Sequence, residues 1–525
     1  MPTLNWIGKD KVVNHHLDVP FRTLEKQYTF APNGGDDDGN MIIHGDNLDA
    51  LKALLPMYEG RVKCIYIDPP YNTGNEKWVY NDNVNDPHIK AWLGKVVGAE
   101  GEDLSRHDKW LCMMYPRLKL LQKLLHPTNG SIFISIDENE VANLKLICNE
   151  IFGSNHHVAT IAWQKRYSRE NRGAIGDAHE YILIYASNVE VFKNLRHKVA
   201  FDDNSSKVYK NPNNDPKGRW RAVPMTAQGF RPNQMYPITT PSGVIHYPPN
   251  GRCWSTVESE YKKLLEAGRI YFGKNGDSQP STIRYLSEVE GMVPWTWWPH
   301  EEVGHTDEAK KEIISILGDA SLFDTPKPTR LIDRILHIAT DPNDIILDSF
   351  AGSGTTAHAV LNMNKQDGGN RKFILVEMGD YAESITAERV RRVVNGYGEG
   401  NKAVEGTGGG FSFYELGEAL LINGMLNPNA AEEKIRAYVY YTETRCALPA
   451  ASENEKYLLG VHENHAYYFY YDADRMTTLN RAFLQTIQTR AEGYLIYADS
   501  NTLSAEDMAR FHITFKKIPR DIAAL

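Results

Sequence analysis

Residues 62–71 have the sequence VKCIYIDPPY, in which a mostly apolar run from Val62 to Ile67 ends at Asp68-Pro69-Pro70-Tyr71. A short apolar run that stops at prolines predicts a buried β-strand followed by a stiff turn. In an open α/β sheet, ligands bind in the crevice beyond the carboxyl ends of the strands. The stretch therefore predicts an α/β fold with a candidate active site at Asp68.

The tetrad Asp68-Pro69-Pro70-Tyr71 suits methyl transfer to an amino group on a planar base. The lone pair of such an amine is delocalised into the ring, so the Asp68 carboxylate and the Pro69 carbonyl would each accept one N–H and hold the nitrogen nearer to tetrahedral geometry. Proline has a fixed φ and no N–H, which keeps the turn stiff and its carbonyls available. Tyr71 can stack on the base. The alternative is a structural turn in which Asp68 is only a cap, so the motif needs context.

The context lies downstream, in the sequence DSFAGSGTTA of residues 348–357. It follows the apolar run 345–347 and opens a helix that we expect to reach about Asn364. Gly352 and Gly354 allow close approach of the backbone, and the first N–H groups of the helix face a bound ligand. The glycines alone also fit the fingerprint of NAD-binding proteins, whereas the Gly-Lys-Ser/Thr ending of a P-loop is absent.

Two further strand ends carry carboxylates. The strand predicted at 372–376 is followed by Glu377, which is placed to accept hydrogen bonds from ribose hydroxyls. The strand predicted at 41–44 leads into Asp46, which suits an adenine or ribose edge. Three strand ends that present Asp68, Glu377 and Asp46 favour a nucleoside cofactor beside the candidate amine site.

These motifs resemble the β-class amino-methyltransferases that use S-adenosylmethionine, and more closely the modification (Mod) subunit of type III restriction-modification systems. The resemblance covers nearly the whole chain and is weakest between about 191 and 320. The segments that carry it, in the order of that class, are Gly45-Asp46-Asn47-Leu48, Asp68 to Gly74, Gly130 to Asp137, His179-Glu180-Tyr181, Lys327-Pro328, Phe350 to Thr355 and Phe515 to Ile522. The implied fold is a doubly wound, mostly parallel, Rossmann-like methyltransferase sheet.

The resemblance also implies roles for single residues. Asp68, Pro69, Pro70 and Tyr71 are implied to be catalytic. The implied cofactor-binding residues are Asp46, Asp348, Phe350, Gly352, Gly354, Thr355, Glu377, Lys327 and Pro328, of which Lys327 and Pro328 match the motif near the methionine end of the cofactor. An Asp before Pro-Pro-Tyr favours adenine N6 over cytosine N4 as the methylated atom.

The implied partners are duplex DNA, a second copy of the chain in a homodimer, and a restriction (Res) helicase-nuclease subunit. Four alternatives stay open from the sequence. They are a cytosine N4 methyltransferase, an RNA amino-methyltransferase, a solitary regulatory adenine methyltransferase, and a sequence-reading subunit without catalysis of its own.

Charge is unevenly distributed along the chain. The formal net charge is -9, yet residues 191–290 contain 15 Lys and Arg against 9 Asp and Glu, a net of +6 that leaves -15 on the rest. Basic residues attract phosphates, and aromatic or polar side chains can stack on or hydrogen-bond to bases. The family places its target-recognition region here, so we expect DNA contacts within 191–320, with Arg219, Arg221 and Arg231 as candidates. The alternative is an ordinary inserted α/β subdomain.

The sequence suggests five segments. We expect the first half of the methyltransferase domain at 1–190, an inserted recognition domain at 191–320, the cofactor-binding half at 321–395, a Gly-rich linker at 396–410 and a small α/β domain for dimer or subunit contacts at 411–525. Residues 75–107 are expected to form a loop or insertion. Trp163 to Tyr167 is either a wall or a DNA-facing loop of the site, or a packed tryptophan with surface cations.

Composition is that of a large folded protein. The chain has 525 residues, 42% hydrophobic and 24% charged, which is enough for three or four domains. Its five cysteines form no Cys-x-x-Cys pair, which indicates a reducing compartment and argues against zinc. His462-Glu463-Asn464-His465 lacks the spacing of a zinc protease, so we expect no metal site. Without a signal core or a long apolar run, the chain is expected to be cytoplasmic and outside membranes.

Overall fold

Ten strands form the largest β-sheet of the protein, which we describe from a computed structural model. The structure describes residues 3–32, 39–73, 106–168, 174–201, 207–319, 323, 325–422 and 424–520. In chain order the strands of this sheet are β1 (Arg22–Phe30), β2 (Met41–His44), β3 (Cys64–Ile67), β4 (Ser131–Ile136), β5 (His157–Gln164), β6 (His179–Ala186), β7 (Trp297–Trp298), β8 (Ile345–Asp348), β9 (Lys372–Glu377) and β10 (Phe411–Ala419).

The sheet is mostly parallel, as the sequence predicts. Its spatial order is β1-β10-β2-β9-β8-β3-β4-β6-β5-β7. The six neighbours from β10 to β4 run parallel to one another. Antiparallel pairing occurs at β1 with β10 and on both sides of β6, and β7 lies parallel to β5. The doubly wound α/β fold class is therefore confirmed.

Helices cover both faces of the sheet. The main helices are α1 (Asn47–Tyr58), α2 (Arg106–Leu124), α3 (Val141–Phe152), α4 (Thr306–Leu317), α5 (Thr329–Ala339), α6 (Thr355–Asp367) and α7 (Glu388–Asn395). Ile374 and Val376 of β9 belong to the apolar core under α1, α2 and α3. Because side chains alternate along a strand, the fully buried Phe373 and Leu375 face the opposite side. There α5, α6 and α7 pack on one another, and α6 contacts β9.

The predicted Gly-rich linker and C-terminal domain differ from the structure at one strand. The prediction places residues 411–525 in a separate domain, but their first strand, β10, lies inside the large sheet. Ser412 is opposite Met41 of β2, and Phe411 is opposite Phe30 of β1. The apolar side chains Phe411 and Phe413 are buried, which favours a position of β10 between β1 and β2 over one at the surface. Within 396–410, a small hairpin pairs Gly396–Tyr397 with Val404–Glu405.

Residues 197–294 form a compact unit separate from the rest of the chain. Its strands are Trp220–Pro224, Thr226–Gln228, Ile238–Thr239, Ile245–His246, Arg252–Trp254, Ile270–Tyr271 and Ser281–Tyr285, and its helix is Glu258–Glu266. The inserted domain predicted at 191–320 is longer than this unit at both ends. The helix Val189–Leu195 belongs to the larger unit, and so do β7 and α4, because β7 pairs with β5 and α4 packs on α7.

Four strands between residues 458 and 517 build a second, smaller sheet within the larger unit. Its strands β11 (Leu458–His462), β12 (His465–Phe469), β13 (Gly493–Ala498) and β14 (Ile513–Lys517) pair in that order. Helix α8 (Glu432–Thr444) packs beside it, and its Tyr438 and Tyr441 contact Phe21 near the start of β1. A short helix, Arg481–Leu484, lies between β12 and β13 in the chain.

Short elements complete the described part. The helices are Lys9–Val12, His15–Asp18, His300–Val303 and Ala505–Arg510, and the two-residue strands outside the large sheet are Leu421–Ile422, Met425–Leu426, Thr478–Leu479 and Ser500–Asn501. Most of the loop expected at 75–107 lies outside the described residues. Among the residues that are described, no helix is both long and apolar enough to cross a membrane.

Candidate active site

Four neighbouring parallel strands place the predicted site residues at one edge of the sheet. β2, β9, β8 and β3 are adjacent and run in the same direction. Asp46, Glu377, Asp348 and Asp68 lie at their carboxyl ends or within two residues after them. The topology thus brings together residues that are up to about 330 positions apart in the sequence, at the edge where α/β sheets bind ligands.

Asp68 is held by a tyrosine and a lysine. The Tyr71 hydroxyl donates to Asp68 Oδ1 at 2.9 Å, and Lys327 Nζ donates to Asp68 Oδ2 at 2.6 Å. Lys327 Nζ also lies 4.9 Å from the centroid of the Tyr71 ring. A residue of α2 also holds the turn, because Trp110 Nε1 donates to the Pro70 carbonyl oxygen at 2.6 Å. That carbonyl is therefore engaged, contrary to the expectation that both proline carbonyls stay available.

Glu180 is a second carboxylate in this site, and the sequence alone predicts no role for it. The Tyr71 hydroxyl lies 3.0 Å from Glu180 Oε2, and Lys165 Nζ donates to Glu180 Oε1 at 3.0 Å. Lys327 Nζ is 3.8 Å from Glu180 Oε2. Glu180 lies near the start of β6, next to its neighbour strand β5. Its sequence signals are its place in the segment His179-Glu180-Tyr181 and its position as a polar residue before an apolar run.

The two carboxyl groups have opposite pKa shifts. Burial raises the pKa of Asp68, although Lys327 and the Tyr71 hydrogen bond partly offset this. Burial acts in the same direction on Glu180, but the charges of Lys327 and Lys165 outweigh it and lower the pKa of Glu180. Burial, with the nearby carboxylates Asp68 and Glu180, raises the pKa of Tyr71 well above its usual value. Glu180 is thus the more firmly ionised of the two carboxylates.

Two cavities meet at Asp68 and Lys327. The first cavity is lined by aromatic and charged residues that include Tyr71, Trp163 and Glu180. The second runs along the glycine turn after β8 and is lined by Asp348, Phe350, Ala351, Gly352, Ser353, Thr355 and Thr356. Asp68, Thr325, Pro326 and Lys327 line both cavities. A group bound in the first cavity would therefore face a group bound in the second across Asp68.

Asp348 organises the glycine turn. Its side chain accepts hydrogen bonds from the Phe350 backbone N–H at 3.0 Å and from Thr356 Oγ1 at 2.6 Å. Burial raises the pKa of Asp348 to about 7, despite the bonds from Thr356 and Phe350. Gly352 and Gly354 have φ values of 52° and 78°, the left-handed region that favours glycine. A Cβ at Gly354 would lie 3.1 Å from the Thr386 carbonyl oxygen, so the turn also approaches its neighbour closely.

Glu377 and Asp46 support this turn and do not line either cavity. Glu377 Oε2 accepts the Gly352 N–H at 2.7 Å, and Oε1 accepts the Gly379 N–H at 2.9 Å. Asp46 caps α1 and pairs with Arg117 at 3.1 Å. Arg117 in turn donates to the side chain of Asn47, which donates to the carbonyl oxygen of residue 349 at 2.9 Å.

Arg389 of α7 connects the glycine turn to α4, and the sequence did not predict this role. Its guanidinium is fully buried and donates to Ser353 Oγ at 3.0 Å and Thr355 Oγ1 at 2.8 Å. It also pairs with Glu312 of α4 at 3.2 Å. Pro328, predicted to lie beside the cofactor, directly precedes α5 and lines neither cavity, whereas Lys327 lines both.

The segment from Trp163 to Tyr167 combines both predicted alternatives. Trp163 is buried, and its Nε1 donates to the Gly304 carbonyl oxygen at 3.0 Å. Trp163, Lys165 and Arg166 nevertheless line the first cavity. Tyr167 is 63% exposed. The segment therefore forms a wall of the site with a packed tryptophan inside it.

In the compact unit 197–294, most aromatic residues form its own core. Tyr236, Trp254, Tyr261 and Phe272 pack in one apolar cluster, and Trp220 and Tyr285 pack in another. The aromatic side chains that are exposed include Phe230 and Tyr247. Of the candidate arginines, Arg219 and Arg231 are exposed, whereas Arg221 lies over the Tyr209 ring at 5.3 Å.

Metal-binding side chains do not cluster in the described part of the chain. No group of three or more His, Cys, Asp or Glu residues there has the arrangement needed to hold a metal ion. The five cysteines are free thiols, and four of them are buried. The candidate site therefore consists of carboxylates, lysines, aromatic rings and a glycine turn.

Comparisons with known proteins give a consistent family. Residues 62–388 match the N6_N4_Mtase family, described as DNA methylase. The StyLTI Mod subunit, a type III restriction-modification protein of Salmonella typhimurium, is 41% identical over 64% of this chain and 52% of its own length. The EcoPI Mod subunit of Escherichia phage P1 is 32% identical over 77% of this chain and 66% of its own. The chain spans about half to two thirds of these type III relatives.

A type II relative and solved structures also match. The type II methyltransferase M.KpnI of Klebsiella pneumoniae is 31% identical over 65% of this chain and 81% of its own length. The crystal structure of M1.HpyAVI is 16% identical with a TM-score of 0.29, covering 67% of this chain and 98% of that one. The PvuII DNA methyltransferase (cytosine-N4-specific) is 12% identical with a TM-score of 0.36, covering 70% and 89%.

Proposed function

The chain belongs to the N6 and N4 family of DNA methylases, and from that membership we propose that it methylates adenine N6 in duplex DNA. The methyl donor is S-adenosylmethionine, and the chain acts as the modification (Mod) subunit of a type III restriction-modification system. One observation carries the proposal: Asp68 lies in the wall shared by an aromatic cavity and a glycine-turn cavity. Two substrates bound in these cavities would meet at its carboxylate.

The aromatic cavity suits a base rotated out of the duplex, since enzymes that modify a base inside DNA must extrude it from the stack. Tyr71 and Trp163 supply ring faces in this cavity. Asp68 would accept one N–H of the adenine amine and the Pro69 carbonyl the other. The nitrogen lone pair would then point toward the second cavity, and Asp68 would oppose the positive charge that develops on the nitrogen.

The glycine turn fits a nucleoside cofactor. Positive φ angles at Gly352 and Gly354 bring backbone close to a ligand, and the turn leads into the first turn of α6. The Ser349 hydroxyl is buried with no hydrogen-bond partner among the described residues, so the turn retains an unused polar group. When bound, S-adenosylmethionine supplies a methyl group on a positively charged sulfur. We assign Asp348, Phe350, Gly352 and Thr355 to its binding, with Asp46, Gly354 and Glu377 supporting the turn.

The transfer requires no metal or covalent enzyme intermediate. The donor would supply its methyl group to the amine lone pair and leave with the S–C electron pair as a neutral thioether, and the proton lost from the methylated nitrogen would pass to water. The catalytic contribution of Asp68, Pro69, Pro70 and Tyr71 is then to hold the amine in line with the methyl group. Lys327 borders both cavities, which fits a residue near the donor end of the cofactor.

Site recognition is assigned to the unit 197–294. Its exposed Arg219 and Arg231, with the neighbouring exposed Phe230, supply cations and a ring for phosphate and base contacts. The smaller C-terminal sheet carries no catalytic motif, so we assign it to contacts with a second copy of the chain and with a Res helicase-nuclease. Such a system acts on DNA inside the cell, which places the chain in the cytoplasm.

The function is tested with purified protein, duplex plasmid DNA and S-adenosylmethionine carrying a labelled methyl group. We expect label in DNA and, after digestion to nucleosides, in N6-methyl-2′-deoxyadenosine. Single-molecule sequencing of the same DNA gives the recognised site and shows whether one strand is methylated. Label in N4-methylcytosine, or in structured RNA offered at the same concentration and not in DNA, would contradict the proposal.

A further inference from the structure

Lys327 occupies the place that the proposed function gives to the target base. Its Nζ donates to Asp68 Oδ2 at 2.6 Å, where the amine must bind. The same atom lies 4.9 Å from the centroid of the Tyr71 ring, where the base must stack. The base and the lysine therefore compete for the same carboxylate and the same ring face, and the lysine must move before methylation.

Glu180 is an alternative partner for this lysine. Glu180 Oε2 is 3.8 Å from Lys327 Nζ. Charge-assisted hydrogen bonds are about 2.7–2.9 Å long, so a shift of roughly 1 Å would complete one. Lys165 Nζ, 3.0 Å from Glu180 Oε1, holds the carboxylate from the other side, and the side chain of Glu180 is only 11% exposed.

We propose that Glu180 is a positioning residue that takes Lys327 from Asp68 when the base enters, which frees Asp68 to hold the adenine amine. The inference rests on the proposed function, because it assumes that a base amine binds at Asp68. It gives Glu180 a role in the reaction although Glu180 does not itself touch the reacting atoms.

Burial is the reason why a second carboxylate is needed. The Lys327 side chain is 10% exposed, and a buried ammonium without a partner is strongly disfavoured. With Glu180 beside it, Lys327 stays paired throughout the exchange. The charges of Lys327 and Lys165 lower the pKa of Glu180, so the receiving group is already an anion when the base arrives. Without Glu180, the base would have to displace the lysine with no carboxylate at this position to receive it.

Tyr71 couples the two carboxylates. Its hydroxyl has one hydrogen and lies within 3.0 Å of both Asp68 Oδ1 and Glu180 Oε2. A purely structural role for Glu180, holding Tyr71 and Lys165 in place, is therefore the competing explanation. That role would be independent of Lys327, whereas the proposed exchange vanishes when the lysine charge is removed. The test must compare Glu180 with and without Lys327.

The experiment is a double-mutant cycle with Glu180→Gln and Lys327→Met, measured as extrusion of the target adenine. The probe is an unmethylated duplex that contains the recognition site, with 2-aminopurine next to the target adenine. The fluorescence of 2-aminopurine rises when the adenine leaves the stack. We expect Glu180→Gln to lower the extruded fraction at least fivefold and the single-turnover methylation rate 10- to 100-fold. In the Lys327→Met background, the same change should alter extrusion by less than twofold.

Equal losses of extrusion in both backgrounds would overturn the exchange and leave a structural role. Glu180→Asp is the conservative variant, because it keeps the charge; it should recover methylation to within tenfold of wild type. If Glu180→Asp is as impaired as Glu180→Gln, the charge is not the cause and the proposal also fails. If the wild-type protein extrudes and methylates no adenine, the proposed function has failed instead.

The matched control is Glu443→Gln in the C-terminal part of the chain. Glu443 is also a glutamate with 11% exposure that is bonded to a tyrosine, Tyr497, and a lysine, Lys516, at 2.8 Å. It lines neither of the two cavities that meet at Asp68. We expect this variant to extrude and methylate like wild type, which separates loss of a Glu–Tyr–Lys cluster in general from loss of the exchange.

Discussion

The replacement of Asp68 by asparagine tests the proposed chemistry most directly. Asparagine has nearly the same shape and keeps one acceptor oxygen, so the change removes mainly the negative charge. Opposite charges about 4 Å apart attract by about 4 kcal/mol at an effective dielectric constant of 20. The Asp68 side chain is 23% exposed, which reduces this figure. Since about 1.4 kcal/mol corresponds to a tenfold change in rate, we expect kcat to fall by about 100- to 1000-fold.

Asp68→Ala separates the charge from the hydrogen bond. A hydrogen bond to a charged group contributes about 1.5–3 kcal/mol, so the alanine variant should lose roughly a further 10- to 150-fold. Neither variant should unfold, because Lys327 keeps Glu180 as a neighbour at 3.8 Å. The assay is single-turnover methylation at saturating enzyme, with cofactor affinity from calorimetry and stability from thermal melting.

Asp49→Asn is the control for this series. Asp49 lies on α1 and forms an ion pair with Arg22 at 2.7 Å, with a side-chain exposure of 26% that is close to that of Asp68. Loss of this ion pair should leave the methylation rate within about twofold, since surface pairs contribute little. The reasoning is refuted if Asp68→Asn binds the cofactor normally and methylates within tenfold of wild type.

Three further predictions concern the turn and the insert. The pKa of Asp348 is raised to about 7 in the fold, so between pH 4 and 7 the native state binds more protons than the unfolded chain. The stability of the wild-type protein should therefore fall relative to that of Asp348→Asn as the pH rises from 4 to 7. A difference in melting temperature that stays constant over this range contradicts the prediction. Gly354→Ala should destabilise the protein more than Gly368→Ala. Both glycines have a positive φ, but of the two only Gly354 has a close neighbour, Thr386. Denaturant unfolding compares the two variants, and equal losses in the free energy of unfolding would exclude the close contact as the cause. Arg231→Gln should weaken DNA binding and lower the salt slope by about one, with cofactor affinity unchanged; an unaltered slope argues against a phosphate contact.

The central sheet was predictable because its signals are local. The apolar runs before Asp68 and Glu377 are short, end in polar or turn residues, and match β3 and β9 closely. Parallel strands present their carboxyl ends at one edge, so residues named separately along the chain had to meet there. The position of Asp68 among its neighbours followed from this rule without any knowledge of side-chain contacts.

Other features depend on contacts that a sequence does not display. Tyr71, which bonds to both Asp68 and Glu180, lies 109 positions before Glu180, and nothing near Glu180 indicates that partner. β10 joins the large sheet only because its edge pairs with β1 and β2, which local propensity cannot specify. The aromatic residues of 197–294 suggested a stacking surface, but a unit of that size needs most of them for its own core.

The charges around Asp68 explain why the site is built from pairs. Asp68 and Glu180 are matched by Lys327 and Lys165, so the four side chains balance before any substrate binds. A positively charged methyl donor beside Asp68 would add one charge and repel Lys327 toward Glu180. Asp348, in the wall of the donor cavity and with a pKa of about 7, can meet that charge by losing its proton. Binding of the donor therefore favours the transfer of Lys327 to Glu180 that entry of the base completes.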